Sequence, residues 1–216
     1  MLIVFEGIDF AGKTTQVKLL ADSMKLYNYT IRLFSFPSIS SSVGRLLRSI
    51  LTGGEGALPH EALFALFTVN RLEAKPEIVR ALEEGHIVLC DRYSPSEIAY
   101  GGARGLSRNW LESLESPMPP ADIVFLLDID YDIAVCRRPE KRSLDAFERD
   151  AAYLREVRRE YLSLARRHQA DPRWVTLDAQ LDPGILHMQV CSEIVRRAPG
   201  VRLRTPEGTE GKVDTA

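Results

Sequence analysis

Short apolar runs bounded by turn residues alternate along the chain with longer segments in which apolar residues recur three and four positions apart. The runs Leu2 to Glu6, Ile31 to Phe36, Ile87 to Cys90, Ile123 to Leu127 and Trp174 to Leu177 predict five buried strands. The periodic segments Lys13 to Tyr27, Val43 to Leu51, His60 to Glu84, Pro95 to Ala103, Ser143 to His168 and Pro183 to Ala198 predict helices. In the segment Ser143 to His168, the residues Phe147, Ala151, Leu154, Val157, Tyr161 and Leu164 form one apolar stripe, so this helix is expected to pack on the sheet. Asp145, with Glu148 three positions on, has the form of a capping box at its start. Strands alternating with helices build a parallel sheet covered on both faces, an α/β fold in three layers. No repeat or long linker divides the chain, so residues 1–198 are expected to form a single domain. From Pro199 the composition turns to Gly, Thr, Glu and Lys, and residues 199–216 are expected to be a frayed tail.

Composition narrows the class. The 216 residues are 45% hydrophobic and 27% charged, which excludes a disordered or low-complexity chain and allows a core that needs no disulfide or metal staple. With 28 basic and 30 acidic residues the net charge is −2, which argues against a nucleic acid or an anionic membrane as the main partner. No apolar run approaches the roughly 18 residues of a membrane span. Cys90, Cys136 and Cys191 have no metal-ligand spacing and read as reduced thiols, so a cytoplasmic protein is expected.

Gly7-Ile8-Asp9-Phe10-Ala11-Gly12-Lys13-Thr14 carries two glycines, a lysine and a hydroxyl at the spacing of a phosphate loop, between an apolar strand and a helical segment. The glycines let successive N–H groups turn inward and the following helix adds its positive end. Lys13 reaches the outer phosphates of a nucleoside triphosphate, the Thr14 hydroxyl is placed for Mg²⁺, and Thr15 follows as a second hydroxyl. The loop alone does not separate a kinase from a GTPase or another ATPase. The absence of any Asn-Lys-x-Asp run removes the guanine-reading element of switch GTPases.

Asp91-Arg92-Tyr93 ends a buried strand at the edge where open α/β sheets bind ligands. Asp91 suits a hydrated Mg²⁺ and Arg92 suits a second phosphate, though a strand end capped by a surface ion pair would read the same. Phe67 and Arg71 share a helix face and can sandwich and hydrogen-bond a pyrimidine, while packing and solvation explain each residue alone. Ser96 and Tyr100 repeat that spacing on the next helix. Four cations in Arg137-Arg138-Pro139-Glu140-Lys141-Arg142 suit a flap over phosphates, about 137–143, or a solvated turn. His60, His86, His168 and His187 lie beside none of these motifs.

Across roughly residues 1 to 180 the chain resembles thymidylate kinases. The resemblance is carried by FEGIDFAGKTTQ, Phe36-Pro37, Leu66-Phe67-Thr68-Val69-Asn70-Arg71, Asp91-Arg92-Tyr93 with Ala99-Tyr100-Gly101, and Asp145-Ala146-Phe147-Glu148. It implies a P-loop kinase with a five-stranded parallel core and a flap, ATP-dependent conversion of dTMP to dTDP with Mg²⁺, and a homodimer. By that resemblance the catalytic residues are Lys13, Asp9, Arg92, Arg138 and Arg142, and ATP is held by Gly7 through Thr15 with Arg137. The acceptor is held by Asp9, Phe36, Pro37, Phe67, Arg71, Arg92, Ser96 and Tyr100, and Mg²⁺ by Thr14 and Asp91. Asp9 would meet the deoxyribose 3′-hydroxyl, Phe67 would stack on thymine, Arg71 would bond the base, and Tyr100 would crowd a ribose 2′-hydroxyl.

The chain departs from the family pattern at several positions. Phe10 stands where one branch has a catalytic arginine, so the extra cation is expected from the flap. Ser38 and Ala146 stand where arginines are usual, and Glu97 and Gly101 where amides are frequent. A kinase for another monophosphate or for a deoxynucleoside, or an ATP-binding regulator without turnover, remains an alternative on sequence alone. The acceptor phosphate is mostly a dianion near pH 7, so the chemistry needs cations and alignment rather than a general base.

Overall fold

The structure, a computed structural model, describes residues 1–53, 58–138 and 144–203. Five strands, β1 (Leu2–Glu6), β2 (Ile31–Ser35), β3 (Ile87–Asp91), β4 (Ile123–Asp128) and β5 (Trp174–Asp178), form one parallel sheet in the order β2-β3-β1-β4-β5. The helices are α1 (Lys13–Lys25), α2 (Ser42–Thr52), α3 (His60–Glu83), α4 (Ser94–Gly102), α5 (Arg108–Glu115), α6 (Tyr131–Cys136), α7 (Ala151–Arg167) and α8 (Pro183–Arg197).

The alternation along β1 explains the three layers. Ile3 and Phe5 join one buried cluster, where Phe5 and Phe125 stack at 5.2 Å, while Leu2 and Val4 join a second with Phe36, Ile78 and Tyr93 on the opposite face. Two of the five strands are not buried as the apolar runs predict. β2 and β5 form the sheet edges, and Leu33 of β2 is 52% exposed, because a strand there has a neighbour on one side only.

The predicted helix Ser143 to His168 also needs correction. The Asp145–Glu148 box forms, with Asp145 N–H donating to Glu148 Oε2 (3.0 Å) and Glu148 N–H to Asp145 Oδ1 (2.9 Å), but it closes a separate turn. α7 starts at Ala151, capped by Asp150, whose carboxylate accepts from Tyr153 N–H (2.9 Å). Helices α5 and α6 were not among those predicted; at eight and six residues they are too short to establish a period.

At the other end of the chain, Leu203 is buried in the core and Arg202 N–H donates to the Tyr29 hydroxyl (2.8 Å), so the first residues past α8 are held down. Residues 204–216 lie outside the described residues. Among the described residues no helix is long and apolar enough to cross a membrane, and the three cysteines are free thiols.

The strand order positions the site. From central β1 the chain passes over β3 to β2, returns to β3, then crosses to β4 on the other side. The crevice past the carboxyl ends of β1 and β3 is therefore a topological switch point, where open α/β sheets take ligands.

Candidate active site

The loop after β1 folds as its glycines require. Gly7 has φ +137°, and a Cβ there would lie 2.5 Å from the Leu127 carbonyl oxygen, so no other residue fits without backbone movement. Gly12, at φ +94°, caps α1 without a side-chain bond, which leaves the first-turn N–H groups directed at the loop's hollow. Lys13 Nζ donates to the carbonyls of Gly7 (3.0 Å) and Ile8 (2.7 Å) and is nearly buried. Burial and the Arg92 charge push its ammonium down to about 8, against the pull of Asp9, Asp91 and Glu6. The Thr14 hydroxyl hydrogen-bonds Asp91 Oδ2, so the two candidate metal oxygens are adjacent. Thr15 is exposed.

Arg92 sits on the turn that leaves β3, in the left-handed region at φ +69°. Its Nη2 donates to Asp9 Oδ1 (2.6 Å) and to the Tyr100 hydroxyl (2.8 Å), and the Tyr100 hydroxyl in turn donates to Asp9 Oδ2 (2.9 Å). Its Nη1 reaches the Gly7 carbonyl (3.2 Å) and Ser96 Oγ (3.4 Å). Burial raises the Asp9 carboxyl, but Arg92 and Lys13 more than offset this and bring it down to about 2. One guanidinium thus clamps the phosphate loop to α4.

Behind this clamp lies Glu6, the last residue of β1 and fully buried. Its Oε1 accepts from Tyr93 N–H (2.7 Å), and its Oε2 from the hydroxyls of Ser96 (2.6 Å) and Tyr161 (2.7 Å). Burial still leaves its carboxyl above the usual range. Glu6 was not among the sequence candidates; the only signal was an acid closing an apolar strand.

A cavity of about 560 Å³ opens from the clamp, within the range for a nucleotide-sized ligand. Asp9, Phe36, Pro37, Phe67, Arg71, Arg92, Ser96 and Tyr100 all line it, so every acceptor residue expected from sequence reaches one space. The Phe36-Pro37 peptide is cis. Phe67 and Tyr100 lie 6.2 and 5.9 Å from the Phe147 ring and form an aromatic wall.

Sequence reasoning missed Arg48 of α2, an exposed cation that lines the same cavity. It also missed Asn70, which is buried and holds the loop at Ser38 by accepting its N–H (2.7 Å) and donating to its carbonyl (3.0 Å). Arg71 proves to be engaged by two carboxylates, Glu97 and Glu115.

The flap residues divide. Arg137 donates to the carbonyls of Ala179 (2.7 Å) and Gln180 (3.3 Å), in the β5–α8 connection and away from the acceptor cavity. Arg138 is exposed and does not line the cavity, and Arg142 lies outside the described residues.

The family model for thymidylate kinase matches residues 5–190. The chain belongs to the thymidylate kinase family. It is 39% identical over 196 residues to a thymidylate kinase of Thermomicrobium roseum, a match covering 85% of this chain and 89% of the relative. It is 40% identical over 170 residues to a "Probable thymidylate kinase" of Pyrococcus horikoshii, covering 76% and 82%. A solved structure of thymidylate kinase from Candida albicans superposes with a TM-score of 0.79 at 25% identity and covers 94% of both chains. The reaction class is the family's: phosphoryl transfer to dTMP, on the P-loop kinase fold expected from sequence.

Proposed function

We propose that this enzyme docks ATP and dTMP end to end across the switch point, with Arg92 at the meeting of the two phosphate groups. The observation that carries this reading is the placement of one guanidinium in contact with both the phosphate loop, at Gly7 and Asp9, and the cavity wall, at Ser96 and Tyr100.

ATP is the phosphoryl donor. Its outer phosphates lie in the hollow formed by Gly7 to Thr15, where Lys13 Nζ already points, and Arg137 serves the nucleotide from the β5–α8 side. Thr14 and Asp91 offer two adjacent hard oxygens, which suit a Mg²⁺ that keeps most of its ligands as water and phosphate. When bound there, the ion supplies charge neutralisation at the transferring group.

The acceptor base enters the cavity against Phe67, with Arg71 at its inner edge, and its phosphate meets Arg92. Asp9 and Tyr100 hold the deoxyribose end and fix Arg92 by two bonds. No side chain needs to remove a proton, because the acceptor phosphate is already a dianion near neutral pH. The protein's task is to place two anions in line and to compensate their charge. Arg138 and Arg142, the catalytic cations that the resemblance implies, supply further positive charge, and Arg48 adds one cation at the cavity rim.

The exposed apolar side chains of Leu46 on α2 and Val69 on α3, two helices packed on each other, provide a face for a homodimer. Sedimentation velocity is expected to show a dimer, and a monomer at micromolar protein would remove this part of the reading. The free thiols suit a cytoplasmic enzyme.

The functional test is a coupled ADP-release assay over dTMP, dUMP, UMP, dCMP and thymidine. The highest kcat/KM is expected for dTMP, and Lys13→Ala is expected to lower it by on the order of 10²-fold or more. Turnover preferring thymidine, or none with any monophosphate, would overturn the reading.

A further inference from the structure

Glu6, the acid that ends β1, is fully buried and lines no part of the cavity, so neither nucleotide as placed above touches it. The hydrogen bonds it accepts nevertheless come from the acceptor side: from Tyr93 N–H (2.7 Å) and the Ser96 hydroxyl (2.6 Å), both close to Arg92 in the chain, and from the Tyr161 hydroxyl (2.7 Å) of α7. Burial raises its carboxyl above the usual range even with these donors and the Arg92 charge opposing. An apolar side chain would close the strand without the cost of burying an acid, so packing alone does not account for Glu6.

Arg92 does account for it. Its backbone is left-handed at φ +69°, a conformation that persists in a residue other than glycine only where the surroundings over-determine it. Two consecutive N–H groups of the turn are gripped by two consecutive residues of β1: Arg92 N–H donates to the Phe5 carbonyl (2.9 Å) and Tyr93 N–H to Glu6 Oε1. At the far end of the side chain, Ser96 Oγ accepts from Arg92 Nη1 (3.4 Å) while its own hydrogen goes to Glu6 Oε2. One carboxylate thus holds the backbone that aims Arg92 and, through a single hydroxyl, the guanidinium itself. The guanidinium's other side-chain partners, Asp9 and Tyr100, line the cavity and are open to a ligand, whereas the Glu6 contacts lie behind it.

We infer that Glu6 is a positioning residue for Arg92: by reaching from β1 to both the Tyr93 N–H and the Ser96 hydroxyl, it fixes the direction in which the guanidinium meets the transferring phosphate. The inference rests on the reading of Arg92 given above. What it requires of Glu6 is reach more than charge. A glutamine keeps the length, accepts from Tyr93 N–H with its oxygen and donates from its NH₂ to the Ser96 and Tyr161 oxygens, whose hydrogens can turn. An aspartate keeps the acid but is one methylene too short to hold both ends.

The test measures kcat and both KM values, per ATP-binding site counted by calorimetry, in Glu6→Gln, Glu6→Asp, Glu6→Ala, Arg92→Ala and the double variant Glu6→Ala/Arg92→Ala. Glu6→Gln is expected to stay within about fivefold of wild-type kcat/KM for dTMP, while Glu6→Asp and Glu6→Ala lose roughly 10- to 100-fold, the effect of displacing an aligned group by about 1 Å. KM for ATP is expected to change by less than about threefold in each Glu6 variant. Because Glu6 acts through Arg92, adding Glu6→Ala to Arg92→Ala is expected to lower kcat/KM by no more than about twofold further. A residue needed only for folding would lower the number of ATP-binding sites and leave kcat per site unchanged, and that result would overturn the inference. So would additive losses in the double variant, or a Glu6→Asp more active than Glu6→Gln. If Glu6→Ala does not fold, Glu6→Asp takes its place in the double variant. If Arg92→Ala lowers turnover and the Glu6 variants do not, only the role of Glu6 falls; if Arg92→Ala is also silent, the reading of Arg92 falls with it.

Discussion

Arg92→Ala separates catalysis from folding more cleanly than any other change, because the structure bounds both effects. Burial lifts the Asp9 carboxyl, and Arg92 and Lys13 together bring it from 3.8 down to about 2. At about 1.4 kcal/mol per pH unit, this is a little over 2 kcal/mol of favourable interaction. Asp9 and Arg92 side chains are 23% and 14% exposed, and Lys13 keeps part of the attraction in the variant. The folding cost of Arg92→Ala is therefore about 1–2 kcal/mol, equivalent to a Tm drop of roughly 2–8 °C for a chain this size. The left-handed backbone at φ +69° is retained by alanine and adds no relief. Because the Asp9 pKa is depressed, this contribution is complete above about pH 4 and lost as pH falls through 2, so the wild type and variant should differ least in strong acid.

The catalytic cost is larger. Removing a cation aimed at developing charge costs about 2.7–4 kcal/mol, which is 10²–10³-fold in kcat/KM for dTMP. A coupled assay and a thermal melt on the same preparation give both numbers. A variant within threefold of wild-type kcat/KM would refute the role of Arg92, and a Tm loss beyond about 15 °C would show that it is chiefly a structural residue.

Three further outcomes follow from the same geometry. Gly7→Ala forces a side chain into φ +137° and to 2.5 Å from the Leu127 carbonyl, so a loss of at least about 2 kcal/mol in stability and of ATP binding is expected; unchanged ATP affinity by calorimetry would contradict the loop reading. Tyr100→Ala is expected to raise UMP turnover relative to dTMP, and an unchanged ratio would show that Tyr100 does not exclude the ribose hydroxyl. Lys13, with its ammonium held down to about 8, is partly neutral in the free enzyme at pH 8.5. ATP binding should then draw up a proton, seen as a dependence of calorimetric enthalpy on the buffer's ionisation enthalpy, and no such dependence would place Lys13 away from the phosphates.

What could be read from the sequence was what is local. The phosphate loop is eight consecutive residues whose glycines encode its curl, and the turn carrying Arg92 follows directly from a buried strand. Phe67 and Arg71 need only helical spacing to share a face. The supports of these residues could not be read, because they come from distant parts of the chain. Tyr161 meets Glu6 across 155 positions, and Glu115, which holds Arg71, lies on a helix too short to announce itself by period. Glu97 reads in the sequence as an ordinary acid of a short helix, and its burial against Arg71 appears only in the fold. The exposure of β2 was hidden for a similar reason: its apolar run resembles that of a central strand, and only the sheet order makes it an edge.

End-to-end docking of the two nucleotides is tested most directly by a single inhibitor in which adenosine and thymidine are joined through a five-phosphate chain. Such a molecule should fill the phosphate loop and the Phe67 cavity together and pass over Arg92. The account predicts inhibition competitive with both ATP and dTMP, with affinity well above that of either nucleotide alone. Competition with only one of them, the other being noncompetitive, would contradict it.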